Sequence, residues 1–128
     1  MGTGTEIGRV RGLGSAKAGA HHWWIQRLTA GSNLLLMLWF LFSLLRLPHY
    51  DHATIVAWLS SPFGEVPMIL LVASTFWHFR LGLQVVIEDY QHDESRVIAL
   101  ILLNFYTVAM AAFAIFAILK IAFTGGAV

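Results

Sequence analysis

The sequence predicts an all-α, integral membrane fold with three transmembrane helices. Of its 128 residues, 58% are hydrophobic and 12% charged, about half the charged share of an ordinary soluble domain. The apolar residues gather in three windows, at about 24–47, 67–88 and 97–123. Each meets the ~20 residues that a spanning helix needs. What remains is a tail of residues 1–22, a connector at 48–66 and a turn at about 88–96. None is large enough for a soluble domain. Residues 1–128 therefore read as one membrane-embedded domain, and any soluble catalytic domain is expected on another chain.

The tail Met1–Ala20 is rich in glycine and alanine and lacks the leucine-rich core of a signal peptide. It reads as retained, and mobile until a partner orders it. Arg9, Arg11 and Lys17 lie in this tail and Arg27 lies at the start of helix one, whereas the stretch Pro48–Val66 holds no lysine or arginine. The positive-inside rule then puts the N-terminus in the cytoplasm and the C-terminus on the far side. Arg96 agrees with this orientation, while Arg46 and Lys120 must snorkel. The chain has no cysteine, which excludes disulfides and an ordinary thiolate-held iron–sulfur cluster.

Helix one is introduced by His21-His22-Trp23-Trp24-Ile25-Gln26-Arg27. Paired tryptophans suit the headgroup boundary, where one ring edge stays wet. Arg27, Thr29, Ser32 and Asn33 make one face of its inner end polar. Such residues serve helix packing or headgroup contact, or, for Arg27, a polar or anionic site at the cytoplasmic end. In the connector, His49 and His52 are three residues apart, too few ligands for an ordinary zinc site. The stretch Ala53–Leu59 is expected to lie on the membrane surface, anchored by Trp58. Pro67 is expected in the first turn of helix two.

Helix two carries the chemistry. His78 sits near its middle, and an ionisable side chain at that depth is costly without a partner. At about 100° per residue, Gly82 lies on the next turn of the same face, and Asp89 returns to within about 20° of it. A glycine beside a histidine leaves room for a flat group. Haem iron accepts an imidazole nitrogen, and a bis-histidine haem between membrane helices takes one histidine from each of two helices. No other histidine lies deep in a helix, so a second ligand has to come from another subunit. On spacing alone, a neutral histidine hydrogen-bonded to a neighbouring helix explains His78 equally well.

A second polar line, Arg80, Gln84 and Glu88, follows a different face at spacing four. Arg80 calls for an acid: Glu88 by long reach, a haem propionate, or a group on a partner. Tyr90 lies roughly 18 Å along the axis from His78. A phenol at the boundary can donate to a quinone carbonyl, and the carboxylate of Asp89 can pass protons from water. Helix three, with Asn104, Tyr106 and Thr107 toward its inner half and Ala109–Ala117 in its middle, reads as a tilted packing helix.

The run from His78 through Gly82 and Val85 to Asp89-Tyr90 resembles the pattern H-x-x-x-G-x-x-Q/V-x-x-x-D-Y of the small membrane-anchor subunit, type D, of succinate dehydrogenase, respiratory complex II. Arg27-Leu28-Thr29-Ala30 is similar to that family's R-x-T-A start of helix one. The resemblance covers all three helices. It implies that the chain packs with a second anchor subunit, type C, into a helical bundle in a bacterial cytoplasmic membrane, beside an iron–sulfur and a flavoprotein subunit. Lipid is a further partner and nucleic acid is not. His78 matches the axial ligand of a haem b shared with the other anchor, Tyr90 the tyrosine that hydrogen-bonds ubiquinone, and Asp89 the aspartate by the proton path. Arg27 matches an arginine near the quinone and haem, and Arg80 is left with a propionate contact. The chain would then be part of an enzyme without holding its catalytic domain.

Other readings stay open on the sequence. The anchor of a quinol:fumarate reductase uses the same parts in reverse. A purely structural membrane subunit would use His78 for packing. A transporter or channel fragment would line a path with His78 and Arg80, but three helices without an internal repeat argue against it.

Overall fold

A computed structural model describes residues 5–7 and 19–125. Among the described residues four helices are bounded: α1 (Gly19–Leu45), α2 (His52–Leu59), α3 (Pro62–Tyr90) and α4 (Asp93–Thr124). α1, α3 and α4 are long and apolar enough to cross a membrane. At ~1.5 Å per residue they run roughly 40, 44 and 48 Å, beyond the ~30 Å hydrocarbon core, so their ends emerge or the helices tilt.

The boundaries differ from the sequence expectation in instructive ways. α1 begins at Gly19, within the expected tail, and the rest of that tail apart from residues 5–7 lies outside the described residues. α3 begins at Pro62, not near Pro67. Ser61 caps it by accepting from the Gly64 N–H at 3.2 Å, and Pro62 occupies a first-turn position where no N–H is needed. Pro67 is thus inside the helix, where its missing N–H leaves the carbonyl of Phe63 to solvent at an exposed end. The turn expected at 88–96 shrinks to Gln91 and His92, after which Asp93 takes a left-handed φ of 54°, a conformation aspartate tolerates better than most residues.

α3 is the central helix. It packs against α1 on one side and α4 on the other, while the backbones of α1 and α4 do not approach each other. α2 folds over α3 and α4 at the end where α1 finishes and α3 starts. Asp51 caps α2: the Thr54 hydroxyl donates at 2.6 Å and its N–H at 3.3 Å, and these two bonds hold the Asp51 carboxyl below its ordinary range. Trp58 stacks on Trp39 of α1, with ring centroids 5.9 Å apart, and leans on Phe40. It therefore ties α2 to α1 more than it anchors a surface helix. The α2–α3 corner is tight, because a Cβ on Gly64 would run into the backbone carbonyl of Trp58. The core is a narrow seam of Leu59, Leu71, Leu81, Leu103, Thr107 and Ile118. α1 contributes no buried residue, and Leu34, Leu35, Leu38, Leu41 and Phe42 lie exposed on it. Such surface suits lipid or another helix, since acyl chains are as apolar as leucine.

Candidate functional site

The two sides of α3 carry two separate polar contacts. Toward α1, His78 Nδ1 lies 3.0 Å from the hydroxyl of Thr29. That hydroxyl also reaches the carbonyls of Ile25 at 2.9 Å and Gln26 at 3.1 Å. One turn earlier on α3, Ser74 Oγ donates to the Thr29 carbonyl at 3.5 Å. α1 and α3 run antiparallel, so residues brought level at Thr29 and His78 set the register of the whole pair. His78 is half-buried. One turn on, a Cβ added to Gly82 would meet nothing within 4 Å, so the face that His78 and Gly82 share is open. The imidazole is fixed at one ring nitrogen and lies beside space.

On α1, the stripe that contains Thr29 also holds His22 and Asn33, seven residues before it and four after. His22 Nε2 and Asn33 Oδ1 are both buried without a hydrogen-bond partner. Arg27 lies off this stripe, exposed, with its guanidinium 5.4 Å from the centre of the Trp23 ring.

Toward α4, Arg80 Nε donates to Asn104 Oδ1, and the guanidinium lies 5.5 Å over Trp77. Asn104 Nδ2 in turn donates to the Leu100 carbonyl at 2.7 Å. The partner of Arg80 is therefore an amide across the helix interface and not Glu88. Glu88 accepts from Gln84 Nε2 at 2.8 Å, the hydrogen bond that their spacing of four allows. Ala73, Trp77, Arg80, Asn104, Thr107 and Ala111 help to line a cleft of about 370 Å³ between α3 and α4.

Asp89 and Tyr90 close α3, both exposed, with Tyr90 at 79%. Ten residues back from Thr29 is Gly19, the start of α1, and ten on from His78 is Glu88. Asp89 and Tyr90 therefore sit at the same membrane boundary as the beginning of α1, about 18 Å from His78 along the axis. The structure brings together Thr29, Ser74 and His78, and separately Arg80 and Asn104. It does not bring Arg27 or Tyr90 against His78. Two partners escaped the sequence reading, Thr29 for His78 and Asn104 for Arg80. The available signal was a polar residue at the matching depth of a neighbouring antiparallel helix.

The pattern described as succinate dehydrogenase/fumarate reductase transmembrane subunit matches residues 1–119. The chain is 36% identical over 115 residues to the succinate dehydrogenase hydrophobic membrane anchor subunit of Rickettsia bellii, covering 87% of this chain and 92% of that one. It is 34% identical over 113 residues to the subunit of the same name from Rickettsia conorii, covering 86% and 90%. With that of Paracoccus denitrificans it shares 27% over 111 residues, covering 87% and 86%. No solved structure matches the chain. A family match across nearly the whole sequence, close relatives of the same length and three membrane-length helices agree: the chain belongs to the family of succinate dehydrogenase and fumarate reductase transmembrane subunits.

Proposed function

We propose that this chain anchors a succinate:quinone oxidoreductase in a bacterial cytoplasmic membrane, N-terminus inside, where it co-ligates haem b and helps to form the ubiquinone-reduction site. The observation that carries the reading is His78. It is an imidazole about midway along a spanning helix, tied at Nδ1 and lying beside the open turn at Gly82. A histidine that only packed would have no use for that space, whereas a macrocycle needs it. The donor also fits iron, because neutral imidazole is a common axial ligand.

Haem b held there supplies a one-electron carrier within the membrane. His78 would hold it from this chain, and a second ligand would come from the other anchor subunit. The exposed apolar length of α1 is a suitable surface for that neighbour. At the cytoplasmic boundary Tyr90 donates a hydrogen bond to a quinone carbonyl, and Asp89 beside it relays protons from water. Reduction of a quinone takes two protons with its two electrons, so a site at the membrane edge serves it better than one at mid-depth. Arg27, two residues before Thr29 on α1 with its guanidinium over Trp23, adds positive charge between the depth of His78 and that boundary. Arg80, turned toward α4, belongs to the helix–helix seam. Electrons arrive from succinate by way of a flavoprotein and an iron–sulfur subunit, since a cysteine-free chain holds no ordinary cluster.

The test is the absorption spectrum of the purified complex. His78→Ala is expected to remove or strongly perturb the b-haem bands while the subunits still copurify. An unchanged spectrum in that variant refutes the ligand assignment.

A further inference from the structure

We propose that Thr29 is the positioning residue for His78 as an iron ligand: its hydroxyl accepts a hydrogen bond from Nδ1 and so fixes the ring orientation and the tautomer that leaves Nε2 free to bind metal. This rests on the haem reading of His78 above. The hydroxyl of a threonine has one proton to give and two lone pairs. In α1 that proton is committed to the helix's own backbone, at the carbonyls of Ile25 (2.9 Å) and Gln26 (3.1 Å). Toward His78, 3.0 Å away, the oxygen can then only accept. Nδ1 carries the ring proton, and the lone pair is on Nε2. In a metal site the hydrogen bond made by the far nitrogen decides which nitrogen is free to ligate.

The threonine is itself held. Ser74, one turn before His78 on the same face of α3, donates to the Thr29 carbonyl. α3 therefore grips residue 29 at its backbone and at its side chain. The His78 ring is set by a fixed point on α1 and not by α3 alone. Thr29 is half-buried in the seam, so water is poorly placed to take over the acceptor role.

An Nδ1–H that donates a hydrogen bond makes Nε2 a stronger electron donor, which favours ferric over ferrous iron. Removing the acceptor should therefore raise the haem's midpoint potential. The experiment is redox titration of the haem b bands in the whole complex, purified from membranes that carry native chain, Thr29→Val, Thr29→Ser or His78→Ala. Thr29→Val keeps the shape and deletes the acceptor. It is expected to raise the ferrous-to-ferric ratio at fixed potential about tenfold, an upward shift of about 59 mV for one electron, or to lose haem from an assembled complex. Thr29→Ser, which restores the hydroxyl, is expected to titrate like the native chain. If Thr29→Val does not assemble, Thr29→Ala takes its place in the comparison with serine. A native potential in the valine or alanine variant, or an equal shift in the serine variant, overturns the role of Thr29 while His78→Ala still lacks the haem. A native haem spectrum in His78→Ala overturns the ligand reading itself and the role of Thr29 with it.

Discussion

Replacing Asn104 with leucine removes the only hydrogen-bond acceptor that the described structure gives to the Arg80 guanidinium inside the membrane. The native contact has two components, the Nε–H to Asn104 Oδ1 and the stacking of the cation on Trp77 at 5.5 Å. An interhelical hydrogen bond in a membrane is worth only about 0.6 kcal/mol on average and reaches about 1.7. Stranding a desolvated donor costs about 1–3 kcal/mol, more when it is charged. The second effect is larger, so Asn104→Leu is expected to cost about 2–3 kcal/mol. The stacking survives in this variant and does not enter the difference. Arg80→Leu is milder, about 1 kcal/mol, because Asn104 keeps its bond to the Leu100 carbonyl and leaves one neutral oxygen unpaired. The double variant strands neither group and loses only the stacking on Trp77, about 1 kcal/mol. The single losses together come to about 3–4 kcal/mol, which makes the coupling between the two sites about 2 kcal/mol or more. The assay is the unfolding midpoint of the purified, assembled complex in an SDS titration, measured for all four proteins. If the double variant loses the sum of the two single losses, Asn104 is not what accommodates Arg80.

Two further outcomes follow from single sites. Tyr90→Phe deletes one hydrogen bond of about 1.4 kcal/mol, so quinone reduction should fall roughly tenfold while succinate oxidation by a soluble dye acceptor is largely kept; equal loss of both activities refutes the quinone role. Gly64→Ala drives a Cβ into the Trp58 carbonyl and should cost about 1–3 kcal/mol as overpacking, read from the same SDS midpoint. Gly31→Ala, whose Cβ meets nothing within 4 Å, is the control, and equal effects of the two would refute the tight corner.

What the sequence made legible depended on periodicity and composition, and what it hid depended on register. The three spans were plain because hydrocarbon demands a fixed length of apolar helix. His78 and Gly82 were readable as one face because both lie on one helix, where 100° per residue suffices. Thr29 was visible as a polar residue of the R-x-T-A stretch at the start of helix one, but its contact with His78 was not, because that contact spans 49 residues of chain. Asn104 was hidden in the same way: an amide oxygen beside a tryptophan face can accept from a guanidinium, and only the packing of α3 on α4 brings the two together. The early start of α3 was written in Ser61 and Pro62, a cap and a first-turn proline. Pro67 drew attention from them because it stands closer to the continuous apolar run.

The position of α3 between two helices that do not meet explains why its polar residues fall on opposite sides and do different work. Arg80 and Asn104 join α3 to α4 beside the cleft between these helices, where Leu103 and Thr107 are buried. Thr29, Ser74 and His78 join α3 to α1, a helix with no buried residue. A seam that ordered, beside a helix that exposed, would be a poor arrangement for a chain acting alone, because α1 is held to α3 on one side and offers lipid-like surface everywhere else. It suits a chain that donates one face to a shared site. In the proposed complex the neighbouring anchor would cover α1, supply the second imidazole and close the space beside Gly82. The specificity of this half of the site then resides in the two contacts at Thr29, which hold the ring in place before the other half arrives.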